Sequence, residues 1–444
     1  MSQEAGHICV RCGGQLVVSL VSVGSVNIDY VFLQPGSWGR LDGQPVLRSA
    51  ADTLSQMGVR VLRQGGSFAS VAPDSGEYYQ WQLWTGPAWK RNSTGAAWRD
   101  SYMSGWGPFE MIDMCNALDI EPIITTTMSS SPDSFADLVE YCWGDMTSTP
   151  MGQRRAADGH PAPYRVKFFE LGNEQYNPDF VDQVAAMEAR ATSLGLANTL
   201  YYLFPTNDGI NATDLARAHA LGIDAHIVTD IHVGAGGALQ AAQALYKQQG
   251  SFMGGAVNME TNAGTHDMGR ALAEAADLNA FFSAGDGRMV ARTASFCTER
   301  SGHFDAFDQG LSFFLPNGTW LQPPGYVHSM VSATWAPFAL NASVTSTSTS
   351  TASVSVQLAS DKSTVVVRIV NPEAASLKTT IDVAGDVVSA SATVLSAPSP
   401  SVANSPGQPQ RVAPQDLSPQ PAVSGSSVTL TAPPYAVVMV SLQL

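Results

Sequence analysis

One recurrence limits the fold of this chain more than any other feature. Short apolar runs rich in valine and aromatics fall at 26–32, 59–63, 121–127, 166–169, 198–205, 226–233, 255–260 and 289–297. Between them lie segments with apolar residues at helical spacing, over 45–56, 109–118, 132–142, 180–194, 213–221, 239–248 and 269–282. Strands that alternate with helices imply a parallel sheet covered by helices. Near eight such units is the complement of a closed (β/α)8 TIM barrel, whose chemistry sits at the C-terminal ends of its strands.

The pattern changes after Pro337. Residues 341–444 hold no cysteine and no long helical pattern, and their Ser-, Thr- and Val-rich runs alternate at 344–358, 363–370, 378–383, 391–395, 427–432 and 436–442. Such runs predict an antiparallel β-sandwich. The Pro-, Ser- and Gln-rich stretch 397–423 reads as a long loop within it. The expected organisation is an α/β barrel over 24–336 and a sandwich over 337–444, with 7–23 a candidate extra strand of the latter.

A chain of 444 residues exceeds one hydrophobic core, and 44% hydrophobic content argues for a folded globular protein. The net charge is −15, from 38 acidic and 23 basic residues, which opposes nucleic acid and polyanionic ligands and favours a neutral one. No apolar run is long enough to span a membrane. The N-terminus carries no basic region ahead of its apolar stretch, so no signal peptide is visible. Asn-X-Ser/Thr acceptors at Asn92, Asn211, Asn317 and Asn341 nonetheless point to a secretory origin, with the cytoplasm as the alternative. Cys9 and Cys12 form half of a zinc-type spacing without a second pair. Cys115, Cys142 and Cys297 read as small core residues. The eight histidines show no metal-ligand spacing, so neither catalytic metal nor cofactor is expected. Oligomeric state is not legible.

Two carboxylates follow strands. The run Phe168-Phe169-Glu170-Leu171-Gly172-Asn173-Glu174-Gln175-Tyr176 moves from strand to glycine to a polar pair, and Glu260 ends the strand 255–260. Their separation in sequence leaves room for about two further βα units, which sets them across the barrel mouth from each other. A pair of carboxylates about 5 Å apart on either side of a sugar is the equipment of a retaining glycosidase. Glu174, with a raised pKa, would protonate the leaving oxygen and Glu260 would attack the anomeric carbon. Asn173 would hold a sugar hydroxyl. Arg63 ends the strand 59–63 before Gly65-Gly66, and His232 ends the strand 226–233. Glu299, beside Arg300, is a second candidate nucleophile, but it lacks the loop and long helix that follow Glu260. Glu170 shares a strand with Lys167 and reads as structural. The dense aromatics of 77–106 could stack on sugars or pin a loop; Trp98 there, and Tyr176 beside the motif, are candidate substrate-binding residues.

The run Phe169–Glu174, preceded by Tyr141, Gly144-Asp145, Arg155, Gly159-His160-Pro161 and Tyr164, resembles the α-L-arabinofuranosidases of glycoside hydrolase family 51. Leu62-Arg63-Gln64-Gly65-Gly66 is similar to that family's Leu-Arg-x-x-Gly-Gly, one residue shorter, and Pro323-Pro324-Gly325-Tyr326-Val327-His328 is similar to its entry into the C-terminal sandwich. The resemblance covers roughly 26–340. It implies Glu174 as acid/base, Asn173 as partner of a substrate hydroxyl, Glu260 as nucleophile, and Arg63 and His232 as rim residues. Where the family has Glu-Tyr this chain has Glu260-Thr261, and Val233 follows His232 where the family has Tyr. The expected activity is α-L-arabinofuranoside hydrolysis on a neutral glycan. The alternatives are a β-glucuronidase, a β-xylosidase or another activity of the same clan, or an inactive carbohydrate-binding homologue.

Overall fold

The computed structural model describes residues 36–69, 80–91, 94–96, 99–102, 105–206, 208–234, 237–249, 255–284, 289–294, 297–300, 309–315, 317–345 and 351–444. Its centre is a seven-stranded, wholly parallel sheet: β1 (Val61–Gln64), β2 (Glu121–Thr126), β3 (Phe168–Leu171), β4 (Tyr201–Phe204), β5 (Ile227–Asp230), β6 (Gly255–Thr261) and β7 (Met289–Ala294), paired in chain order. β1 and β7 approach each other, so the sheet curls into a barrel. The eighth expected strand, 26–32, and the candidate strand in 7–23 lie outside the described residues.

The barrel interior is packed. Ile123, Leu203, Val228, Val257 and Met259 form one buried cluster, with Val61, Phe168 and Tyr201 against it. Side chains along a strand point to one face every second residue. Two positions beyond that apolar layer, on the same face and toward the C-terminal end, stand Arg63, Thr125, Glu170 and Asp230. On β1, β3 and β5 the barrel thus turns from apolar to charged within one residue pair, and on β2 it turns to a hydroxyl.

Helices α1 (Arg48–Met57), α2 (Pro108–Leu118), α3 (Pro132–Trp143), α4 (Pro150–Ala157), α5 (Phe180–Ser193), α6 (Ala212–Ala220), α7 (Ala238–Gln249) and α8 (Met268–Ala284) lie outside the sheet. Gly58 ends α1 in the left-handed region, φ 68°, with its N–H on the Leu54 carbonyl, as its position after the helix predicts. α4 corrects the expected loop over 144–164. Thr149 caps it through its hydroxyl, Pro150 opens it, and its apolar face is too short to show helical spacing. Helix α9 (Pro323–Ala333) stands where only an entry to the second domain was expected.

Between β7 and α9 lies a small sheet of β8 (Thr298–Arg300), β9 (Ser312–Leu315) and β10 (Gly318–Leu321). The C-terminal region forms two antiparallel sheets. One orders β11 (Phe338–Ala339), β12 (Ser353–Leu358), β13 (Thr364–Asn371), β19 (Ala436–Gln443), β15 (Ser389–Ser396) and β16 (Gln415–Asp416). The other orders β14 (Leu377–Asp382), β18 (Ser427–Ala432) and β17 (Ala422–Ser424). Their facing sides bury Val365, Val367, Ile369, Val394, Val428, Leu430, Val438 and Val440, the alternation that a two-layer core requires.

The opposite side of the larger sheet belongs to the barrel. Val370, Leu395, Val437 and Met439 join the same buried cluster as the barrel helices. The stretch 397–423 carries the two short strands β16 and β17 and also reaches back to the barrel. The Met268 and Gly269 N–H groups, orphans of the first turn of α8, donate to Val402 and Pro400 carbonyls at 2.9 and 2.7 Å. Asn404 and Gln322 exchange two hydrogen bonds, of 2.9 and 3.1 Å.

Candidate active site

At the C-terminal rim, Arg63 from β1 is the hub. Its side chain is 4% exposed. Nε donates to Glu170 at 2.5 Å and Nη2 to the other Glu170 oxygen at 3.0 Å, a two-pronged pairing. Nη2 also donates to the Asn173 carbonyl oxygen at 2.6 Å, and Nη1 donates to Glu260 at 2.6 Å. Asp230 lies 3.9 Å away. Burial works to lower the pKa of Arg63, but Glu170, Asp230 and Glu260 outweigh it, so the guanidinium stays firmly charged. A glycine beside it is required: a Cβ at Gly65, where φ is 152°, would fall 2.3 Å from Thr125, whose hydroxyl donates to Glu170 at 2.5 Å.

Glu174 leaves β3 by a sharp exit. Gly172 has φ 114°, and Glu174 itself sits in the left-handed region at φ 51°, unusual for a residue with a Cβ. The loop is held from beneath. Asn177 donates to the Leu171 carbonyl at 3.0 Å and to Gln183 of α5 at 2.8 Å, and Gln183 donates to the carbonyls of Met128 and Ser130 after β2, both at 2.9 Å. The Glu174 side chain is half exposed, whereas Glu260 is 17% exposed. Glu260 owes its inward aim to an irregularity. The pairing of β6 with β7 shifts register between Asn258 and Thr261, and such bulges re-aim a side chain that strict alternation would turn away.

His232 stands between the carboxylates. Nδ1 lies 2.7 Å from Glu174 and 3.6 Å from Glu260, and Nε2 lies 3.1 Å from Asp230. Asp230 is fully buried, two residues back on the same face as His232, and accepts from the Met259 N–H at 2.9 Å. One ligand-capable atom each of Glu174, His232 and Glu260 lies within 4.8 Å of the others, and so does one each of Glu170, Asp230 and His232. Either triplet has the residue types to hold a cation, but Arg63 and the imidazole already occupy these oxygens, so we assign no metal there.

The charges set the protonation. Burial works to lower the pKa of His232, but Asp230 and then Glu174 outweigh it and lift the ring to about 10. The bond from His232 holds Glu174 below its ordinary value. That corrects the expectation of a raised Glu174, and the cause is a cationic neighbour that the spacing of the motif does not reveal. Burial raises Glu170, with Arg63 opposing it.

The structure therefore brings Arg63, Asn173, Glu174, His232 and Glu260 together. Tyr176 is 43% exposed, its hydroxyl donating to Asp214 and accepting from the Asn211 amide at the start of α6. Trp98 and Asn92 lie outside the described residues. Glu299 lies on β8, in the small sheet rather than the barrel. Trp81 and Trp84 are buried and pin their loop, while Trp89 is 62% exposed. Asn317 and Asn341 are exposed; Asn211 caps α6 with its side chain. Cys115, Cys142 and Cys297 are buried, as expected of small core residues. Sequence reasoning passed over Asp230 and read Glu170 as structural. Their signal was an acidic residue two places beyond an inward apolar one, on strands that end at the rim.

The run preceding the motif proves to be a clamp. Arg155, fully buried, donates to the carbonyls of Tyr141, Gly144, His160 and Pro161 at 2.7 to 3.1 Å. Asp145 accepts from the N–H groups of Thr147 and Ser148. His160 stacks on Tyr164 at 3.9 Å and bonds Asp113 at 3.0 Å. These residues set the approach to β3.

Comparison with known proteins places both parts of the chain in one family. Residues 53–233 match the family model described as the α-L-arabinofuranosidase 1 domain, and 258–436 match the α-L-arabinofuranosidase C-terminal domain. α-L-Arabinofuranosidase C of Emericella nidulans is 28% identical over 162 residues, 36% of this chain and 31% of that protein. The extracellular exo-α-L-arabinofuranosidase of Streptomyces chartreusis is 31% identical over 133 residues, 25% of this chain and 16% of that one. The chain thus matches under a third of the length of these curated relatives. The thermostable family 51 α-L-arabinofuranosidase of Thermotoga petrophila superposes with a TM-score of 0.73 at 16% identity, covering 90% of this chain and 91% of that one. The Thermotoga maritima α-L-arabinofuranosidase in its arabinose complex gives 0.70 at 17%, covering 90% of each. Likenesses at such identity speak for the fold, a (β/α)8 barrel with a C-terminal β-sandwich. With both domain models matched, in order and over most of its length, the chain belongs to the α-L-arabinofuranosidase family.

Proposed function

We propose that this protein is a retaining glycoside hydrolase that removes α-L-arabinofuranosyl groups from a neutral glycan. One observation carries the reading: Glu174 and Glu260, at the ends of β3 and β6, each offer an oxygen within 4.8 Å of the other. That separation suits direct attack on the anomeric carbon and leaves too little room for an intervening water. Glu260 is the nucleophile. Its hydrogen bond from Arg63 aims it. Glu174, the more exposed, faces the leaving group, protonates it, and then draws a proton from the water that releases the covalent sugar. Asn173, its carbonyl held by Arg63, turns its amide toward a sugar hydroxyl. The names of the matched relatives supply the sugar.

A uronic acid fits less well. Arg63, the rim cation that would meet its carboxylate, is already engaged by Glu170, Asn173 and Glu260. We also infer export through the secretory pathway, supported by exposed acceptors at Asn317 and Asn341 and by the extracellular relative. Among the described residues no helix is long and apolar enough to cross a membrane.

The test is turnover of a panel of 4-nitrophenyl glycosides by wild type and Glu174→Ala, with azide as external nucleophile. The arabinofuranoside is expected to be cleaved, and azide is expected to rescue the variant and yield a glycosyl azide of retained configuration. Cleavage with inversion, or turnover of no sugar in the panel, would overturn the reading.

A further inference from the structure

The imidazole of His232 is flanked by a carboxylate at each nitrogen: Asp230 at 3.1 Å from Nε2 and Glu174 at 2.7 Å from Nδ1. The ring is only 4% exposed, so water cannot stand in for either partner. Two contacts of this length with two carboxylates permit few proton arrangements. With Asp230 ionised, Nε2 must carry a hydrogen. Nδ1 then has two states. It bears a hydrogen and donates to ionised Glu174, or it is bare and accepts from protonated Glu174. Both states contain one proton more than a neutral imidazole beside an ionised carboxylate.

We propose that His232 stores the catalytic proton of Glu174, with Asp230 as the positioning residue that fixes which ring nitrogen exchanges it. The proposal rests on the acid/base reading of Glu174 above. In the free enzyme the proton sits on Nδ1. As the leaving oxygen approaches Glu174, the Nδ1–H bond breaks along the existing 2.7 Å hydrogen bond and an O–H bond forms on Glu174. The electron pair stays on Nδ1, Nε2 keeps its hydrogen toward Asp230, and the net charge of the pair is unchanged. Glu174 passes the proton to the leaving alcohol. In the second half-reaction Glu174 takes a proton from the attacking water and returns it to Nδ1, so each turnover consumes and restores one proton.

The surrounding charges allow this. Glu170, Asp230, Glu174 and Glu260 face the ring from β3, β5, the loop after β3 and β6, and Arg63 faces it from β1. Four acidic groups against one guanidinium favour a cationic ring. The same arrangement reconciles a Glu174 held below its ordinary pKa with its duty as an acid, because the proton is stored one hydrogen bond away.

Nitrogen-15 spectra of histidine-labelled protein locate the proton without turnover. At pH 7 the His232 ring is expected to show two protonated nitrogens, and in Glu174→Gln or Asp230→Asn it is expected to lose one at a pH lower by at least one unit. A wild-type ring with a bare Nδ1, or a titration that neither substitution moves, would overturn the proposal. Kinetics test the role in catalysis. His232→Gln is expected to lose about 100-fold on alkyl arabinofuranosides, which need an acid, and under about 3-fold on the 2,4-dinitrophenyl arabinofuranoside, which does not. A uniform loss across leaving groups would remove the storage role and leave the glycosidase reading intact. An inert wild type would remove that reading and the storage role with it.

Discussion

Arg63 and Arg155 are both buried arginines of the barrel, and they do opposite work. Arg155 donates only to backbone carbonyls, four of them, and burial lowers its pKa. Arg63 donates to two carboxylates and an amide, and its charge is reinforced. Neutral acceptors make an arginine a fastener; ionised acceptors make it part of a charge-balanced, reactive assembly. Burial alone does not separate the two cases, and neither does position in the sequence. The charge of the acceptors does.

The sharpest test of that contrast removes a carboxylate on the Arg63 side. Glu260→Ala should cut kcat by about 10⁴-fold or more while the protein stays folded, as read by turnover and circular dichroism. Full activity would break the comparison at its centre. Arg63→Lys should cost about 10²- to 10³-fold in kcat/KM, since one ammonium cannot hold Glu170, Asn173 and Glu260 together. Arg155→Met should instead lower stability by about 3 kcal/mol, from carbonyls left without donors, with kcat per folded molecule unchanged. Urea unfolding combined with active-site titration would show it, and a loss of kcat without a loss of stability would contradict the fastener role. The smallest effect is that of pH. His232 has a raised folded-state pKa, so its contribution is complete below the ordinary histidine value and is lost as pH rises toward about 10. Urea midpoints should fall across that window, and His232→Gln should flatten the fall.

The barrel, the sandwich and the carboxylate pair were legible because each has a local signature. Strands alternate with helices, valines alternate with polar residues, and glycine then asparagine mark the exit from β3. Glu170 and Asp230 were not legible in the same way. Seeing them requires knowing which residue of each strand faces inward, and that follows from neighbours far along the chain: Val61, Phe168 and Val228 set the parity only once the sheet is closed. Glu260 breaks that parity through a bulge. Helix α4 was hidden because Thr149-Pro150 announced a start that no apolar stripe confirmed. The Tyr141–Tyr164 run has a mechanical use in this chain: its turns present the carbonyls that Arg155 holds.

The lacing of 397–423 onto α8 and β10 bears on how this protein can be handled. The first-turn N–H groups of α8 are closed by Pro400 and Val402, and Asn404 is knotted to Gln322, Leu321 and Val412. Asn279, further along α8, bonds Ser353 and Ser355 of β12. A truncation that stops at the end of α9 would strip both ends of α8 and leave the apolar flank of the barrel wet. The helix that follows Glu260 therefore takes its first-turn partners and its far anchor from the C-terminal region, and the barrel is expected to need the sandwich to keep that helix in place.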